Sequence, residues 1–77
     1  MLLCAPREQM ADLIVNGFHE AKVGQGLSID GRALEIFAGP NKSFTVTKTD
    51  PGGTACIVEM GVGWQFDAAG KLSASRP

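Results

Sequence analysis

The sequence predicts a small α+β domain, with one N-terminal amphipathic helix packed on a four- to five-stranded antiparallel β-meander. Three observations lead there. A helical period is confined to the start of the chain, it gives way to a period of two after Gly17, and turn signals recur at Asp30-Gly31, Gly39–Lys42 and Asp50–Gly53. The 77 residues leave room for one domain, read here as residues 1–72 with a small polar tail over 73–77.

The helix is expected over about residues 6–16. Pro6 suits a first helical turn, where its missing N–H is no loss. Met10, Leu13 and Ile14 recur at helical spacing with Phe18 just beyond, while Arg7, Glu8, Asp12 and Asn16 take the other side. Gly17 is expected to stop the helix in a left-handed conformation.

The strands follow in order. Residues 23–29 form a weak strand, interrupted by Gly24 and Gly26, and Asp30-Gly31 signals a two-residue hairpin turn. In the strand Ala33–Phe37, Leu34 and Ile36 share one face, and Glu35 and Phe37 the other. Over residues 43–49, Phe44 and Val46 are expected to point inward and Thr45 and Thr47 outward. After the turn at Asp50–Gly53, Cys56, Val58, Met60, Val62, Trp64 and Phe66 alternate without a break. That pattern gives one long strand, or two joined at a glycine bend near 61–63. Asp67–Gly70 allows a further turn and a short strand at Lys71–Ser73. A lone helix covers one face of such a sheet, so Phe37, Ala55 and Ile57 are expected on a second face that needs another cover.

Composition narrows the function classes. Apolar residues make up 44% of the chain and charged residues 19%, and the net charge is −1, which excludes a disordered charged tail. The seven basic residues are scattered and matched by eight acids, so nothing calls for nucleic acid. No apolar run is long enough for a membrane span, and Met1-Leu2-Leu3 is too short for the apolar segment of a signal peptide.

Few residues suggest chemistry. Cys4 and Cys56 are expected to form a disulfide tying the helix start to the long strand; two free thiols, or a metal or redox pair, are the alternatives. Two Cys and one His fall short of a zinc set, and there is no C-x-x-C. His19 beside Glu20 reads as a solvated or capping histidine rather than an acid–base pair. Glu35 and Glu59 read as acids that face solvent or pair with a lysine; as paired carboxylates they would need a shared face. Trp64, with Phe37, Phe44 and Phe66, reads first as core and second as a protein contact. No catalytic, cofactor-binding or metal-binding residue is assigned.

Cys4, then Gly31, Leu34, Glu35 and Phe37, then Phe44, Thr45 and Val46, then Gly53, Ala55, Cys56, Ile57 and Val58, and finally Gly61 and Trp64 carry a resemblance. Over residues 4–64 the chain resembles a family of short exported proteins of Gram-negative bacteria, which has no assigned activity. The resemblance implies the same fold, the disulfide and a periplasmic address. The chain departs from the family by lacking the signal peptide and by carrying Phe44 where a Trp is common. The sequence thus predicts a non-enzymatic interaction or structural module that contacts a protein subunit, self or other, through Phe37, Ile57, Trp64 and Phe66. An accessory subunit of an assembly such as a phage virion is the first expectation. A periplasmic binding protein for a small ligand or peptide is the second.

Overall fold

A computed structural model of the chain describes residues 3–65. Its elements are β1 (Cys4–Pro6), α1 (Arg7–Asp12) continued by a π-helical turn (Leu13–Gly17), β2 (Ala21–Leu27), β3 (Ala33–Ala38), β4 (Phe44–Thr49) and β5 (Thr54–Gly61). The strands form one antiparallel sheet in the order β1-β5-β4-β3-β2. The α+β fold is therefore as predicted, but the fifth strand is β1, ahead of the helix. The strand and turn expected after residue 66 lie outside the described residues, as do Phe66 and the tail.

The helix buries Met10 and Ile14 of the stripe read from the sequence, with Phe18 partly buried, whereas Leu13 is exposed. Its end differs from the expectation. Gly17 stays in the helical region, and the left-handed residue is His19, at φ 59°. The last turn widens so that the Phe18 N–H donates to the Leu13 carbonyl at 3.1 Å and the Ile14 carbonyl at 3.2 Å. The Glu20 N–H then closes back on the same Ile14 carbonyl at 3.2 Å. These bonds satisfy carbonyls that a helix end otherwise leaves without partners.

All three hairpins close in one way. Ser28, Gly39 and Asp50 each donate to the residue four further on, at 2.8, 2.9 and 3.0 Å, around a three-residue loop. The third loop residue is left-handed each time: Gly31 at φ 87°, Lys42 at 65° and Gly53 at 95°. This is the common three-residue loop in which a left-handed residue follows a type I turn. The two-residue turn expected at Asp30-Gly31 is thus corrected. Only Gly31 has positive φ, Ile29 joins the loop, and the strand before it spans Ala21–Leu27. Lysine is an uncommon occupant of the left-handed position. Its carbonyl accepts the Trp64 N–H at 2.9 Å, fastening the segment after β5 to this turn.

The sheet's two faces are exchanged relative to the expectation. The helix covers Phe37, Ala55 and Ile57, with Glu35, Thr45, Thr47 and Thr49 buried on the same face. Leu34, Ile36, Phe44 and Val46 point the other way. The cause lies in β1. Ala5, on the hydrogen-bonded side toward β5, turns its methyl to the helix, which fixes the direction in which the chain crosses the sheet. From there the helix carries the chain across three strands, β5, β4 and β3, to β2, which runs parallel to β1, and the crossover is right-handed. Packing the helix on the opposite face would need a left-handed crossover, which is rare. Topology, not the count of apolar residues, chose the face.

Cys4 and Cys56 are directly opposite on β1 and β5 and form a disulfide, with Cα atoms 4.0 Å apart. They occupy a non-hydrogen-bonded pair, flanked by the Leu3–Ile57 and Ala5–Ala55 pairs, where facing side chains come closest. On β5 the alternation expected over residues 56–66 breaks twice. A bulge inserts Val58 opposite β4, and the strand ends at Gly61 before the left-handed Gly63.

Candidate interaction surface

The face away from the helix is built by β3, β4 and β5. Ile36 pairs with Val46, and Ala38 with Phe44, so their side chains form adjoining apolar columns. Leu34 extends the column on β3, and the Cys4–Cys56 bridge borders it on β5. Each large side chain here is half-buried by its neighbours in the sheet. The Trp64 segment folds over part of this face. Its ring lies 5.6 Å from that of Phe44 at an interplanar angle of 47°. The Phe44 ring in turn lies against Gly61, where a Cβ would come within 2.7 Å of it. Gly61 is therefore a seat for an aromatic ring.

Beside Trp64 the surface opens into a cleft of about 390 Å³, bordered by Val23, Ala38, Gly39 and Lys42. Two charges also sit on this face. Lys48 stands opposite Cys56, and Glu59 stands opposite Val46. They are diagonal neighbours on adjacent strands.

The helix-side face holds a different feature. Glu35, with its side chain 8% exposed, accepts from Arg7 through both carboxylate oxygens, at 3.1 and 2.7 Å. Lys22 Nζ reaches the same carboxylate at 3.3 Å and donates to Gln25 at 2.6 Å. The Arg7 guanidinium is the main reason the Glu35 carboxyl is held below the ordinary carboxylate range, with burial opposing and Lys22 assisting. The network joins the start of the helix to β3 and β2. It is a structural brace.

Several candidate chemistries are separated by this geometry. Glu35 faces the helix and Glu59 the open face, so the two acids cannot act on one substrate from a shared side. His19 is exposed at the helix end, while Glu20 beside it is buried at 4% exposure with its Oε1 unpaired among the described residues. Among the described residues, no group of three or more His, Cys, Asp or Glu side chains is placed to hold a metal ion. Of the four residues expected at an interface, Phe37 and Ile57 are core residues beneath the helix, 4% and 8% exposed, and that expectation is corrected. Trp64 lies on the open face, and Phe66 is outside the described residues. Leu34, Ile36 and Val46 stand where Phe37 and Ile57 were expected; their alternation was legible, but their side was not. The chain matches no protein-family model, no curated protein and no solved structure.

Proposed function

We propose that this protein is a non-enzymatic interaction module that docks on a protein subunit through the sheet face carrying Leu34, Ile36, Phe44 and Val46. One observation carries this reading. The chain buries threonines under its helix and leaves its aliphatic and aromatic columns on the open side. Apolar side chains that adjoin on a sheet face with no helix over it are the kind of surface that a partner covers. The low charge of the chain and its internal staple suit an accessory subunit of a larger assembly, such as a phage virion.

A photo-crosslinking residue at position 46, compared with one at Val15 on the outer surface of the helix, tests this in the source cells or particles. Discrete protein adducts are expected from position 46 and not from position 15. Equal labelling from both positions, or none from 46, contradicts the reading.

The cleft beside Trp64 favours a second reading, a small binding protein for a ligand or peptide. Trp64 is the sole tryptophan, so its fluorescence reports on that cleft. Saturable emission changes with a ligand or short peptide, together with no adduct at position 46, would select it.

A further inference from the structure

We infer that the occupant of the open face is a second copy of this chain, packed sheet on sheet about a two-fold axis lying between the two faces. The inference rests on the reading of this face as an interface and names its partner. A two-fold contact must be self-complementary, because each residue pair across it occurs twice. Lys48 and Glu59 meet that condition. They lie on neighbouring strands of the open face, on opposite sides of the Val46–Lys48 span, about two residues or roughly 7 Å apart along the strand direction. Among the described residues neither forms an ion pair within its own chain. A two-fold axis crossing the strands between their levels brings Lys48 of one copy level with Glu59 of the other and one strand spacing to its side, within reach of the long lysine side chain, and the reciprocal pair forms at the same time. The apolar columns then stack on their counterparts, as in an aligned β-sandwich.

The size of the face is compatible with this occupant. Three strands at ~4.8 Å spacing and six residues at ~3.4 Å rise give a footprint of about 300 Å². That is smaller than the roughly 800 Å² per partner of a standard interface, which fits a weak, transient dimer. Such a dimer is expected to dissociate in the micromolar range rather than to be permanent.

Sedimentation velocity across a concentration series tests it. The expected result is a monomer–dimer equilibrium that Val46→Lys abolishes while circular dichroism stays native. Lys48→Glu and Glu59→Lys are each expected to weaken dimerisation about fivefold or more, as like charges then face each other twice. The double variant K48E/E59K is expected to restore it to near the original value, an outcome that a merely structural role of either residue would not give. A monomer at every concentration, or a dimer indifferent to Val46→Lys and to the charge reversals, overturns the inference. If the crosslinker at position 46 then captures a different protein, the interface reading stands and only the second copy falls. If it instead captures residues 66–77 of its own chain, both fall.

Discussion

Glu35 keeps its charge inside the helix–sheet layer because two cations reach it from separate elements, Arg7 from the helix start and Lys22 from β2. Its carboxyl is held below its ordinary value of 4.5, chiefly by the Arg7 hydrogen bonds. A carboxyl depressed in the folded state stabilises the fold above its unfolded pKa, and that contribution is lost as pH falls through the folded value. Thermal melts from pH 7 downward should therefore lose stability once pH drops below the ordinary value. Glu35→Gln should remove part of that acid limb and lower stability at pH 7 by about 1 kcal/mol, since Arg7 remains half-exposed to water. An acid limb unchanged in the variant would contradict the brace. From the sequence, pairing of Glu35 with a lysine was legible. Arg7 was not, because 28 residues separate it from Glu35 and only the position of β1 brings it near.

At the scale of elements, the positions of the turns and of the helix could be read directly, because glycine, proline and hydrophobic period are local signals. The form of the ends was less legible. His19 and Lys42 occupy left-handed positions that composition assigns to glycine, and the surrounding hydrogen bonds hold them there. The three-residue β1 was invisible for a related reason: it is too short to show a period, and pairing with a distant strand defines it. The disulfide makes that pairing durable. It closes a loop with a sequence separation of 52, which contributes about 4 kcal/mol in the chain-entropy account. The double variant C4S/C56S is expected to lose about that much in urea titration, with reductant having no further effect on it. A loss below about 1 kcal/mol would mean that β1 and the helix hold their place without the bridge.

For the whole molecule, the alternating strands were legible residue by residue, while the side on which the helix sits was not. Leu34, Ile36, Phe44 and Val46 are the more apolar set, and hydrophobicity alone assigns them to the core. The right-handed path from β1 to β2 gives the core to Phe37, Thr45, Thr47, Ala55 and Ile57 instead. The result is a thin core with polar side chains in it and an apolar face left open, the feature on which the proposed function depends. Lysine substitutions at two consecutive residues of β4 separate these alternatives most directly. Thr47 is 2% exposed beneath the helix, whereas Val46 lies on the open face. Thr47→Lys is expected to remove about 3 kcal/mol or more by burying an unpaired charge, or to abolish folding. Val46→Lys is expected to remain folded and to change stability by about 1 kcal/mol or less, measured at a concentration where the chain is monomeric. The opposite order, with Val46→Lys unfolding the protein and Thr47→Lys tolerated, would contradict the account.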